Sequence, residues 1–192
     1  MRKSSLERNT KETQIKISID LDSNENSSIN TGIGFFDHML TLFAFHSKFS
    51  LNIEAKGDLY VDDHHLIEDT GILLGIAFKE AIGDKKGINR YGSSRVVMDE
   101  ALAQVDLDLS NRGYLVFNVD FTREEINGFS LEMVKEFMYA FAINSGTTLH
   151  INLLYGDNNH HKVEAIFKSL GKALNKSVEV VDDRLPSTKG VL

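Results

Sequence analysis

The chain has 192 residues, 42% of them hydrophobic and 26% charged, an ordinary globular balance that argues against extended disorder. Its net charge of -7 excludes a general polyphosphate-binding surface, although not a local basic pocket for one small phosphate. The absence of cysteine excludes disulfides and thiolate metal sites and leaves His, Asp and Glu as the strong ligands.

From the N-terminus, MRKSSLERNT is charged but is not followed by the apolar region of a secretory signal. Ile15, Ile17, Ile19 and Leu21 then alternate as one face of a first clear strand. Residues Phe36 to Phe45 read as a helix, and Leu51, Ile53 and Ala55 as a second strand. Ile67 to Ile82 reads as a helix ending near Gly83; its apolar run from Gly71 to Phe78 is too short to span a bilayer, so a cytoplasmic protein is expected. Val105, Leu107 and Leu109 mark a third strand with Asp106 and Asp108 on its outer face. Leu115, Phe117, Val119 and Phe121 mark a fourth. Leu131, Val134, Met138 and Phe141 form a helical stripe, Leu149, Ile151 and Leu153 a strand, and Val163, Ile166, Phe167, Leu170 and Leu174 a last helical stripe. Interleaved strands and helices predict an α+β or α/β domain.

The chain also repeats itself. FDHMLTLFAFHSKFSLNIEA from Phe36 lies over VKEFMYAFAINSGTTLHINL from Val134, matching Phe43 with Phe141, Leu51 with Leu149 and Ile53 with Ile151. After a small length difference, VDDHHLIEDTGILLGIAFKEAIG falls over GDNNHHKVEAIFKSLGKAL. Each half thus ends in a helix opening with His-His-x-x-Glu. The expected division is 1–88 and 89–192, fused in one compact domain, with the Gly87 to Ser94 stretch as connector.

On a helix, His64 and Glu68 share a face, as do His65 and Glu68, but adjacent histidines diverge by about 100°. They suit two metal ions better than one. The same holds for His160, His161 and Glu164. Mixed imidazole and carboxylate ligands suit manganese, iron(II), cobalt or zinc, and more than four ligands favour octahedral manganese or iron. Asp62 and Asp63, matched by Asn158 and Asn159, read as helix caps or an exposed turn. His38 and its repeat partner Glu136 are further candidate ligands. His46, matched by Asn144, is given a substrate or structural role, and His150 a solvated or interface one. Lys168 continues the Glu164 face, either as an intrahelical partner of Glu164 or as the holder of an anionic substrate group. Arg90, Arg95, Arg112 and Lys189 are basic candidates that spacing does not rank.

Six ordered motifs carry a resemblance: GIGFFDHML (32–40), DDHHLIEDTGILLG (62–75), NRYGSSRVVMDEALA (89–103), DLSNRGYLVF (108–117), HHKVEAIFKSLGKAL (160–174) and LPSTKG (185–190). Together they resemble the imidazoleglycerol-phosphate dehydratase family almost end to end. The resemblance implies an α+β, internally duplicated fold, each half a small β-sheet packed against two helices (ribosomal protein S5 domain 2-like). It implies metal-dependent dehydration of imidazoleglycerol phosphate to imidazole-acetol phosphate in histidine biosynthesis, with two manganese ions per active site. It also implies a homo-oligomer of about 24 subunits with sites completed between subunits.

The metal ligands implied are His38, His64, His65, Glu68, Glu136, His160, His161 and Glu164. Glu136 departs from the family pattern, in which many relatives carry a histidine. Arg90, Arg112, Lys168, Ser187 and Lys189 would hold the phosphate, the last two in a phosphate-binding tail. Glu12, His38 and His46 match substrate-contacting positions, and Glu12 is the expected base. Neither nucleic acid nor a membrane is an expected partner. Two other classes fit the His-rich repeat alone: a dinuclear hydrolase using a metal hydroxide, and a non-catalytic metal-storage assembly.

Overall fold

A computed structural model describes residues 2–192. The elements run in the order β1 (Lys3–Asn9), β2 (Thr13–Asp20), β3 (Ser28–Asn30), α1 (Gly34–Ser47), β4 (Ser50–Gly57) and α2 (His64–Ile82) in the first half. The second half follows as β5 (Tyr91–Met98), β6 (Ala101–Asp108), β7 (Tyr114–Asn118), the short β8 (Glu125–Ile126) and β9 (Phe129–Ser130), α3 (Met133–Ser145), β10 (Thr148–Tyr155) and α4 (Asn159–Val178).

The two four-stranded sheets have the same plan. The first is ordered β1-β2-β4-β3 and the second β5-β6-β10-β7. In each, an antiparallel hairpin pairs with a central strand that is parallel to its outer neighbour. Alternation accounts for the buried faces: Ile15, Ile17 and Ile19 in β2, Leu51 and Ile53 in β4, Val105 and Leu107 in β6, and Leu149 and Ile151 in β10 are all buried. The chain is therefore an α+β molecule of two similar halves.

The helices join those halves. α2 lies on β1 and β2 of its own sheet, α4 on β5 and β6 of the other, while α1 packs against α4 and α2 against α3. Two glycines allow these crossings. A Cβ on Gly75 would lie 2.8 Å from the Phe141 carbonyl oxygen, and one on Gly171 would lie 2.8 Å from that of Phe43. Gly75 and Gly171 stand equally far after their His-His pairs, and Phe43 matches Phe141, so the same close contact occurs twice. Aromatic rings fill the space between: Phe36 meets Phe137 edge-on at 5.4 Å, and Phe137 stacks on Phe167 at 5.6 Å.

Some elements differ from the sequence reading. The connector is shorter than Gly87 to Ser94, because β5 already begins at Tyr91. Gly92 belongs to that strand, and a Cβ there would collide with the Ala173 carbonyl of α4, so its smallness serves packing. β7 ends at Asn118, and Val119 and Phe121 pack on the core from the chain beyond it. β1 is a polar strand that periodicity passed over, half-buried at alternate residues. β8 and β9 form a hairpin whose Asn127-Gly128 turn has both residues at positive φ (49° and 76°), as a two-residue hairpin turn requires.

Candidate active site

Asp62 and Asn158 start the two His-His helices in the same way. Each accepts a hydrogen bond at 2.9 Å from a backbone N–H two residues on, that of His64 and His160 respectively. Their neighbours, expected as caps or exposed turn residues, do something else. Asp63 is buried and accepts from the Ser130 N–H (2.6 Å) and hydroxyl (2.8 Å). Asn159 accepts from the Thr122 N–H (3.0 Å) and donates to its hydroxyl (2.9 Å). Both ends of the segment between β7 and α3 are thereby tied to the starts of the histidine helices.

The paired histidines diverge. The rings of His64 and His65 lie at 80° and those of His160 and His161 at 82°, with centroids 6.1 Å apart in both pairs. The first of each pair faces its own helix: His64 Nε2 is 3.7 Å from Glu68 Oε2, and His160 Nε2 is 3.2 Å from Glu164 Oε2. The second turns to a carboxylate outside its helix. His65 Nδ1 lies 3.1 Å from Asp58, and His161 Nδ1 lies 2.7 Å from Glu100.

Those carboxylates set the charge and orientation of the rings. Asp58 raises the His65 pKa above its ordinary value, burial opposing and the Glu12, Asp58 and Asp62 charges assisting. The Glu100 hydrogen bond raises that of His161, while the His161 ring and the Asn158 N–H pull Glu100 down to about 2. An imidazole whose Nδ1–H is donated to a carboxylate presents a basic Nε2, the arrangement common behind metal-bound histidines.

α1 brings His38 to α4. Among the described residues, His38, His160 and Glu164 form the one group of three whose candidate ligand atoms all lie within 4.8 Å of one another. Glu164 is buried, with His38 Nε2 at 3.9 Å and Lys168 Nζ at 2.5 Å. Burial works to raise its carboxyl pKa, but Lys168, then His38 and His160, outweigh it and hold the group below its ordinary range. His46, in the last turn of α1, is half-buried near the Lys168 and Lys172 charges. Burial first, then those cations, lowers its pKa despite Glu164, so the ring is neutral at pH 7. Glu136, on the first turn of α3, joins no equivalent cluster with His64 and Glu68 among the described residues.

The remaining candidates stand on other elements. Glu12, in the β1–β2 turn, lines an open cavity of about 340 Å³ with Thr13, Lys56, Asp58 and Tyr60. Arg90 is clamped by Asp108 through two hydrogen bonds (2.6 and 3.0 Å) and donates to the Pro186 carbonyl at 2.8 Å. Arg112 approaches the same Asp108 at 3.6 Å. Arg90 and Ser187 line one concavity under the C-terminal segment, whereas Lys168 lies apart on α4 beside Met98, and Lys189 is exposed. His150 is exposed on β10 between Asp106 and Val116, and Arg95 bonds Gln104 on the outer sheet face.

The family model for imidazoleglycerol-phosphate dehydratase matches residues 31–174. The Clostridioides difficile imidazoleglycerol-phosphate dehydratase is 54% identical over 187 residues, covering 97% of each chain. The chain belongs to the imidazoleglycerol-phosphate dehydratase family.

The Streptococcus gordonii dehydratase is 50% identical over the full length of both chains. The crystal structure of the Staphylococcus aureus dehydratase superposes with a TM-score of 0.85 at 46% identity, covering 93% of this chain and 99% of that one. That of the Pyrococcus furiosus dehydratase, solved with (S)-C348, also gives 0.85 at 40% identity over 97% and 100%. As a dehydratase-family member the chain is an enzyme of the hydro-lyase class, serving histidine biosynthesis. Among its described residues no helix is long and apolar enough to cross a membrane. Asp58 and Glu100, which orient the outward histidines of this chain, were missed in sequence because they lie at a strand end and in a hairpin turn, with no local spacing to the helices they serve.

Proposed function

We propose that the chain dehydrates imidazoleglycerol phosphate to imidazole-acetol phosphate in the cytoplasm, using two manganese ions per site. The observation that carries the metal part is the His38–His160–Glu164 cluster beside outward-facing, carboxylate-braced His65 and His161. This donor set of imidazoles and carboxylates, with no thiolate, fits manganese. Once bound, the metals supply Lewis-acid stabilisation of charge on the substrate's imidazole ring.

The chain's own residues do the rest. The ligand set is His38, His64, His65, Glu68, Glu136, His160, His161 and Glu164. Arg90, Arg112, Lys168, Ser187 and Lys189 hold the phosphate and so fix the glycerol chain remote from it. Neutral His46 contacts the substrate without adding charge. Glu12, carried on the turn next to His65, takes the carbon-bound proton. The neighbouring C–O bond breaks, the hydroxyl leaves as water with a second proton, and the enol becomes the ketone.

Several copies complete the site. The basic residues, the first-half histidines and the second-half cluster stand on separate elements of one chain, and apolar residues flank His64 at Leu59, Tyr60 and Val61, Tyr60 being 91% exposed. A closed assembly of about 24 subunits covers them. Within each subunit the duplication divides at residues 88 and 89.

Mass spectrometry of the manganese-loaded protein's product tests the reaction. Loss of one water from the substrate is expected; loss of phosphate would instead indicate a hydrolase. Glu12→Gln is expected to lower kcat by about 100-fold or more, and full turnover would remove Glu12 as the base.

A further inference from the structure

Lys85, in the turn between α2 and β5, is 3% exposed, yet it serves none of the groups described above. Its backbone is left-handed, with φ at 61°, and its ammonium reaches inward to two neutral oxygens. It donates to the Leu109 carbonyl at 3.0 Å and to the Asn111 side-chain oxygen at 2.6 Å. Burial, then the Lys79 charge, pulls its pKa to about 8, with Asp108 opposing and Arg90 assisting. A lysine in such a place costs stability rather than adding to it.

Its two partners lie in the β6–β7 turn. Asp108, which clamps Arg90, directly precedes Leu109, and Arg112 directly follows Asn111. Asn111 is itself left-handed, at φ 61°, and its Cα lies under Gly146, where a Cβ would come within 2.9 Å. The Leu109 N–H donates to the Arg90 carbonyl at 3.2 Å, closing the turn onto the segment that bears Arg90. Lys85 is thus bonded to two of the three residues lying between Asp108 and Arg112.

We propose that Lys85 is a positioning residue for phosphate binding, holding the β6–β7 turn so that Asp108 orients Arg90 and Arg112 toward one anion. This rests on the reading that Arg90 and Arg112 hold the substrate phosphate. The charged lysine touches no substrate. It fixes the turn and adds positive potential beneath the arginine pair.

The test uses the assembled, manganese-loaded protein, with steady-state kinetics on imidazoleglycerol phosphate and inorganic phosphate as competing probe. Lys85→Met is expected to raise KM and weaken phosphate inhibition by about tenfold each, with kcat changed by less than about twofold. Lys85→Arg, which keeps a donor and a charge, is expected to restore both to within about threefold. Asn111→Gly, which keeps the left-handed backbone but removes the acceptor, is expected to raise KM similarly. Adding Lys85→Met to Asn111→Gly is then expected to bring little further loss, because one contact cannot be removed twice. Unchanged KM and phosphate inhibition in Lys85→Met and Asn111→Gly would overturn the proposal, as would a fall in kcat alone. If Arg90→Ala and Arg112→Ala both left phosphate inhibition unchanged, the phosphate assignment itself would fail and take the proposal with it.

Discussion

Glu164 is the residue on which the second-half cluster turns. It is buried among His38, His160 and Lys168, and its carboxylate is what holds three potential cations together. Glu164→Gln keeps the volume and removes the charge. It is expected to weaken manganese binding by about 100-fold, read by metal titration of the stripped protein. Lys85 gives a pH-dependent expectation of the opposite kind. Its folded pKa of about 8 lies below its ordinary 10.5, so the folded state holds fewer protons between those values. Its contribution to stability is therefore present above pH 10.5 and lost as pH falls through 8. Between pH 7.5 and 9.5 the wild type should gain roughly 2 kcal/mol on Lys85→Met, measured by denaturant midpoints at both values. At this scale the His-His-x-x-Glu pairs were legible because their spacing is local. Asp58, Glu100 and Lys85 were not, because each meets its partner only after the chain has folded back.

Secondary-structure elements carry the duplication, and Gly75 and Gly171 show how. Alanine would gain about 1 kcal/mol of helix propensity over glycine. At either position, however, its Cβ would sit 2.8 Å from a backbone carbonyl of the crossing helix. Forcing two packed helices apart costs about 1–3 kcal/mol, so Gly75→Ala and Gly171→Ala should both lower the thermal midpoint. The β1–β2 hairpin depends on another contact. Asp69 on α2 accepts from the Thr13 hydroxyl at 2.5 Å and pairs with Arg8 at 3.1 Å. Asp69→Ala takes the acceptor from the buried Thr13 hydroxyl and the carboxylate from partly exposed Arg8. It should cost about 1–3 kcal/mol and, by loosening the turn that carries Glu12, lower kcat as well. Apolar periodicity disclosed the central strands and all four helices. β1 escaped because its inward residues include Ser4 and Arg8, and β5 because Gly92 and two serines imitate a linker.

At the scale of the whole molecule, one chain holds the parts of the proposed centre on separate elements. The three-way cluster lies at the α1–α4 crossing, the remaining histidines open α2, and the arginines stand beside the C-terminal segment. The repeat made the two His-His-x-x-Glu helices visible in the sequence, since each half shows the same motif. It could not show that Glu136 stands apart from His64 and Glu68 within a chain, because that depends on how helices cross. Native mass spectrometry is accordingly expected to find a closed particle of about 24 copies. Tyr60→Glu should reduce it to smaller species by placing charge on the exposed apolar surface proposed for contacts between copies.

The most direct measurement is turnover of imidazoleglycerol phosphate by the assembled protein, before metal stripping, after it, and after manganese is returned. The account predicts activity that disappears on stripping and recovers with manganese, releasing one water per substrate. Full activity in the verified metal-free protein, or none in the assembled and manganese-loaded one, would contradict it.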